Sequence, residues 1–181
     1  MLHKSRDRAK RMQLAQSNYA NIGYDYGDIE VIKLPHYPFE LPYQQTEESA
    51  GVDLYSTEDV GLMPGCDVKI PTGLKIHIGS NTHHKNHTSP FGLFGMIVPR
   101  SSLGFKHYLR LANTAGIIDA DYQGEIFIKL RNEGHDFLEI KAGDALCQMI
   151  FMPYLKQVKF VEVGGFAATD RGEGGIGSTG R

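Results

Sequence analysis

Apolar residues in this chain recur at every second position over short stretches, and glycine or proline closes each stretch. Val68 and Ile70, then Leu74, Ile76 and Ile78, alternate with other residues on either side of Pro71-Thr72-Gly73, which reads as a turn. Ile126, Ile128 and Leu130 follow the same rule, as do Val158 and Phe160. A period of two puts one face of an extended segment into a core and leaves the other wet, so these are half-buried strands. With 21 Gly and 8 Pro in 181 residues, and no stretch after residue 28 that holds a helical period for long, a helix bundle is excluded. One short helix is expected over Ser101–His107, preceded by Pro99 and capped by Ser101 or Ser102. The predicted class is all-β, a jelly-roll-like double-sheet barrel.

The length suits one domain, and a 41% hydrophobic content is enough for a real core. Strands are expected to begin at Ile29, so the domain is placed at 29–163. Residues 1–28 form a basic extension: Lys4, Arg6, Arg8, Lys10 and Arg11 stand against Asp7 within the first twenty residues. Few apolar residues accompany them, so a mobile, solvated arm or a frayed helix is expected. The net charge of -2 speaks against a globally basic nucleic-acid binder, and nucleic acid is not expected as a partner. Two cysteines, Cys66 and Cys147, make no disulfide framework, and a reduced, cytoplasmic setting follows. No membrane span and no secretory signal are expected, because no apolar run has the length. Cys147 reads as buried and Cys66 as exposed. The polar segment 79–92 reads as a surface loop; its His83, His84 and His87 have no acid or Cys nearby, which favours solvation over a metal site.

Several segments carry groups suited to anions and to water chemistry. Residues 164–181 are Gly-rich and lack core-forming side chains, so they are expected to be flexible and to order only on a ligand or a neighbouring subunit. Within them, Arg171 and the glycines that follow offer a guanidinium and backbone N–H groups for phosphate, although a plain Gly-rich tail reads equally well. Pro99-Arg100-Ser101-Ser102-Leu103-Gly104 adds another guanidinium and two hydroxyls at the expected helix start. Gly116 to Ile126 reads as a tight hairpin bearing Asp119, Asp121 and Tyr122, where paired acids are most often solvated or cap backbone groups.

The order of these segments is more specific than any one of them. The chain runs Ser49-Ala-Gly-Val-Asp53-Leu54, Pro99–Gly104, Gly116–Ile126, Gly143-Asp144-Ala-Leu-Cys-Gln148-Met-Ile150 and Arg171–Gly180. This succession resembles the five ordered motifs of the trimeric dUTP diphosphatase (dUTPase) family, in its bacterial and phage form, over roughly residues 29–181.

The resemblance implies hydrolysis of dUTP to dUMP and diphosphate with Mg²⁺, which limits uracil incorporation into DNA and supplies dUMP for thymidylate synthesis. It implies a homotrimer whose sites draw motifs from more than one subunit. Asp119 then corresponds to the acid that deprotonates the attacking water, and Tyr122 to the ring beneath deoxyribose. Asn113, Ile117, Ile118 and Phe127 correspond to the uracil pocket. Arg100, Ser101, Ser102 and Gln148 correspond to phosphate contacts, and Asp53 to the acid that holds waters of the Mg²⁺ shell. Arg171, Gly174, Gly175, Ile176, Gly177 and Ser178 correspond to an arm, 164–181, that closes over the nucleotide. Ile176 stands where most members have Phe, Ser102 where Gly is usual, and Ala145-Leu146 where a charge is common. Two rivals remain. The related dCTP deaminases share an Arg-Ser-Ser-Leu-Gly segment, but usually carry Pro-Gly-Phe where this chain has Ala120-Asp121-Tyr122. A nucleotide-gated binding protein would meet a protein partner through loop 79–92.

Overall fold

The computed structural model describes residues 28–80 and 91–175. The basic extension, the His-bearing part of the 79–92 loop, and Ile176, Gly177 and Ser178 lie outside the described residues. The described strands are β1 (Glu30–Lys33), β2 (Val52–Tyr55), β3 (Val60–Leu62), β4 (Asp67–His77), β5 (Phe91–Pro99), β6 (Leu109–Leu111), β7 (Gly116–Ile118), β8 (Glu125–Asn132), β9 (Leu138–Ile140) and β10 (Ala145–Leu155). Among the described residues a helix, α1 (Ser101–His107), follows β5, and a 3₁₀ turn spans Ile78–Ser80.

Two four-stranded sheets, ordered β1-β4-β8-β6 and β2-β10-β5-β7, make the body, and β3 pairs with β9 beside them. Alternation decides what lies between the sheets. Ile126, Ile128 and Leu130 of β8 are buried, as are Ile70, Leu74 and Ile76 of β4, and they meet Leu54, Ile97, Leu146 and Met149 from the other sheet. Asn132 ends the inward row of β8 and is fully buried. Its amide donates to the carbonyls of Leu62 and Asp136 at 3.1 and 2.9 Å, and its Oδ1 accepts from the Gly134 N–H. Burial of that amide is tolerated because its donors and acceptor are used. Burial also pushes the Cys147 thiol up to about 12, which leaves it inert at neutral pH, whereas Cys66 is exposed.

Three local expectations are corrected. Pro71-Thr72-Gly73 is not a turn between two strands: β4 runs through it as an eleven-residue strand with a bulge, where the register against β8 shifts between Pro71 and Lys75. The bulge is held by side chains that replace missing ladder bonds. Thr72 Oγ1 donates to the Ile126 carbonyl at 2.7 Å, and the Gly73 N–H donates to Glu125 Oε1 at 2.9 Å. Gly73 has φ +71°, and a Cβ there would stand 2.8 Å from that of Tyr37, so the position admits glycine on two grounds. Second, the helix is capped by Arg100 without a side-chain bond, not by a serine. Third, Val158 and Phe160 form no strand. They are 61% and 97% exposed, because no strand among the described residues pairs with them.

Thr72→Val is expected to destabilise the fold by about 1–3 kcal/mol, since it strands the Ile126 carbonyl in the core. Thr72→Ser keeps the hydroxyl and is expected to lose less. Urea unfolding of the three proteins checks this; equal midpoints for Val and Thr would show that the hydroxyl does not hold the bulge.

Candidate functional site

The Gly116–Ile126 segment is a corner rather than a hairpin. β7 pairs with β5, Ile118 standing opposite Gly95 and Gly116 opposite Ile97. β8 belongs to the other sheet, between β4 and β6. Residues 119–124 therefore carry the chain from one sheet to the other, with the acids at the crossing point. The Tyr122 N–H donates to the Asp119 carbonyl at 3.1 Å, and the Tyr122 hydroxyl donates to the Glu125 carbonyl at 2.8 Å. From outside, the Gly79 N–H donates to the Ala120 carbonyl at 2.7 Å. A Cβ on Gly79 would lie 2.7 Å from the same oxygen, so only glycine lets the 3₁₀ turn come this close.

The corner encloses an open depression of about 240 Å³ lined by Ile117, Ile118, Asp119, Tyr122, Ile126 and Phe127. Five of the residues predicted from sequence are thus brought together. Ile117, Tyr122 and Phe127 are each about half exposed, which is unusual for large apolar groups unless something covers them. Lys69 Nζ stands 3.7 Å from the centre of the Phe127 ring. A second open depression, about 540 Å³, shares Ile117 and Asp119 and adds Phe94, Ala120, Asp121 and Tyr154. Asp119 lies on the rim common to both. Glu125 also lines the smaller depression and was missed from the sequence, although it sits two residues before Phe127 on the same strand face. Asn113 precedes β7 in a tight turn, where its carbonyl accepts from Ala115, and it does not line the depression.

A second group forms elsewhere. Asp53 on β2 stands opposite Gln148 on β10, which in turn stands opposite Val98 on β5. Arg100, just past the end of β5, places Nε 3.6 Å from Asp53 Oδ1, and its N–H donates to the Leu146 carbonyl. The Asp53 carboxylate is 14% exposed and the Arg100 side chain 42%. Burial first, and then the Asp53 charge, raise the pKa of the nearby Tyr55. Ser101 and Ser102 are exposed beside Arg100. This patch has a cation, two hydroxyls and an amide to offer an anion, and one hard oxygen donor for a cation.

The two groups are far apart in one chain. Ile118 lies level with Gly95 and Asp53 level with Val98, three residues along β5 and three strand spacings across the sheet. With about 3.3 Å per residue and about 4.8 Å per strand, that is roughly 17 Å. Arg100 lies roughly as far, five residues along β5 and one spacing away.

In the tail, Arg171 Nε donates to the Gly174 carbonyl at 3.0 Å and the Gly174 N–H donates back to the Arg171 carbonyl, while the Gly172 N–H donates to Thr169 and closes the turn before it. Gly175 is exposed beyond it. Among the described residues no group of three or more His, Cys, Asp or Glu is placed to hold a metal by itself. No helix among them is long and apolar enough to cross a membrane.

Residues 37–180 match the family model described as dUTPase. The chain belongs to the dUTPase family. Proteins named deoxyuridine 5'-triphosphate nucleotidohydrolase from Enterobacter sp. (strain 638) and Shigella sonnei (strain Ss046) are 43% and 45% identical to it over 145 residues. Those alignments cover 79% of this chain and 88% and 89% of the relatives. The all-β dUTPase fold is also that of solved structures. The dUTPase of Staphylococcus bacteriophage 80alpha, solved with dUPNHPP, matches with a TM-score of 0.70 and 23% identity over 86% of this chain and 99% of its own. A mutant dUTPase from phage phi11 of S. aureus, whose structure reveals how a structural Mg(II) ion is coordinated, matches with 0.64 and 21% over 78% and 100%.

Proposed function

We propose that this dUTPase-family enzyme hydrolyses dUTP to dUMP and diphosphate, with Asp119 as the base. The observation that carries the reading is the corner, where an exposed carboxylate meets three uncovered apolar faces, those of Ile117, Tyr122 and Phe127, at one depression. A nucleoside fits that chemistry, with Tyr122 under the sugar and Ile117, Ile118 and Phe127 around the base. Asn113 contributes from the turn before β7. Asp119 accepts a proton from water as the water oxygen attacks the α-phosphorus. The bond from that phosphorus to the bridging oxygen breaks, and diphosphate leaves with the electron pair. Arg100, Ser101, Ser102 and Gln148 receive the phosphates and stabilise charge on the departing group.

Mg²⁺ suits the donor set at Asp53. The ion is commonly held by one or two carboxylates together with substrate phosphates and water rather than by a protein cage. When bound, it neutralises phosphate charge. Asp53 would hold it through water, and Arg100, now paired with Asp53, is placed to turn toward phosphate.

A homotrimer is part of this proposal. A base and a phosphate patch separated by roughly 17 Å in one chain do not serve one reacting phosphorus unless a second chain brings its own patch alongside. The exposed apolar segment with Phe160, Val161 and Phe166 supplies surface for such contacts. The barrel, 29–163, thus supplies base and phosphate sites, and the arm, 164–181, closes over them with Arg171, Gly174, Gly175, Ile176, Gly177 and Ser178. A reduced cytoplasm suits the two free cysteines.

The test is the product profile from dUTP, dCTP, dTTP and UTP with Mg²⁺. Formation of dUMP and diphosphate from dUTP alone is expected; ammonia from dCTP, or no product from dUTP, would overturn the reading. Removing residues 171–181 is expected to lower kcat by about 10²-fold, as loss of a closing element does. Gel filtration should show the assembly unchanged. A truncated protein that falls apart would make the tail structural.

A further inference from the structure

We infer that Glu125 is a positioning residue for the Asp119 corner, acting through one oxygen shared by His36 and the β4 bulge. The inference rests on the function proposed for Asp119. Glu125 Oε1 accepts from the Gly73 N–H at 2.9 Å and lies 2.9 Å from His36 Nε2. A carboxylate only accepts, so the imidazole nitrogen is the donor. The carboxylate is 16% exposed and both bonds converge on the same atom, so a mostly buried charge is satisfied from two separate segments. One is the 34–51 connection, which holds His36, and the other is the bulge in β4.

Glu125 is also the first residue of β8. Its carbonyl takes the Tyr122 hydroxyl, and Tyr122 closes the turn onto the Asp119 carbonyl. The bonded chain thus runs from His36 and Gly73 through Glu125 and Tyr122 to Asp119. The other end of the corner is held by Gly79 at Ala120. Among the described residues the exposed carboxylate of Asp119 makes no bond that would fix the loop, so within them its position depends on these two anchors. Loss of the Glu125 anchor leaves the groups in place on the chain but loosens the angle between the base and the depression. Misplacement of this kind reduces turnover more than affinity.

Four variants separate reach from charge. Glu125→Gln keeps Oε1 at the same reach and loses the charge. Glu125→Asp keeps the charge and loses the reach, and Glu125→Ala loses both. His36→Ala removes one of the two donors. In the full chain as it assembles, with dUTP and Mg²⁺, Ala and Asp are expected to lower kcat about 10–100-fold with KM changed less than about threefold. Gln is expected to stay within about threefold of the parent, and His36→Ala to have no further effect in the Glu125→Ala background. Hydrogen exchange gives a readout independent of turnover: amides 119–125 should exchange faster in Ala and Asp than in Gln. A parent protein that leaves dUTP intact defeats the functional reading, while the exchange pattern still decides the anchoring. Unaltered kcat and exchange in Ala overturn the inference. So does the reverse order, Asp near the parent and Gln impaired, because charge rather than reach would then matter. If Ala and Asp do not fold, His36→Ala carries the test, and unchanged kcat and exchange in that variant overturn it.

Discussion

Asp119→Asn is expected to lower kcat for dUTP by about 10²–10⁴-fold, the range lost when a positioned general base is removed. The amide cannot take a proton from water at neutral pH, yet it matches the carboxylate in shape, so the corner should keep its form. The Asp119 carbonyl that accepts the Tyr122 N–H is unaffected by the change. Substrate affinity should therefore fall little, because the proposed reading gives the nucleoside to Tyr122, Ile117 and Phe127 and the phosphates to a separate patch. Rapid-quench turnover and equilibrium binding of a non-hydrolysable dUTP analogue measure the two effects. Loss of binding as large as the loss of kcat would make Asp119 a binding group. An unchanged kcat would pass the role of base to another residue, Asp121 and Glu125 being the other carboxylates that line the two depressions.

What could be read from the sequence depended on how local the deciding interaction was. The alternation of Ile126, Ile128 and Leu130 is a local property of β8, and the residues are buried as the period requires. The helix Ser101–His107 also lies where Pro99 and the serines that follow place it, although Arg100 rather than a serine caps it. The errors occurred where a distant partner decides. Pro71-Thr72-Gly73 has the composition of a turn, but β8 lies alongside and supplies Ile126 and Glu125 to bridge a bulge, so the strand continues. Asp119–Gly124 has the composition of a hairpin loop, but β5 captures β7 and β4 captures β8, so the same residues cross between sheets. Val158 and Phe160 alternate correctly and still form no strand, because alternation needs an edge to pair with and no described strand lies alongside them.

The candidate site shows the same limit. Motif order grouped Ile117, Ile118, Asp119, Tyr122 and Phe127, which the fold does bring to one depression. It also linked Asp53, Arg100 and Gln148, which meet through cross-strand neighbours. Spacing along a chain carries no information about strand order, however, so nothing in the sequence alone revealed that β10 and β5 stand between Asp53 and the corner. Glu125 was overlooked for a related reason. A charged residue at a strand start reads as solvated until the bulge and His36 are seen around it.

Strand order leads to the most discriminating experiment. Arg100→Ala alone is expected to lower activity about 10²–10³-fold, as removal of a donor to the departing charge does. Asp119→Asn and Arg100→Ala proteins are then unfolded together in equal amounts and reassembled. If each site takes Asp119 from one chain and Arg100 from another, random assembly makes about one-quarter of the sites intact, and activity rises far above either parent. If both residues of a site come from one chain, no reassembled site is intact and the mixture stays inactive. A control fixes the scale. The double variant, carrying both changes, is reassembled in equal amounts with unaltered protein. Shared sites leave about one-quarter of full activity, because both contributing chains must be unaltered, whereas sites within one chain leave about one-half. Recovery in the first mixture together with a quarter in the second is the expected pair. An inactive first mixture with a half in the second would place the whole site in one chain. The roughly 17 Å between the corner and the Asp53–Arg100 patch would then have to be closed by movement of the chain itself.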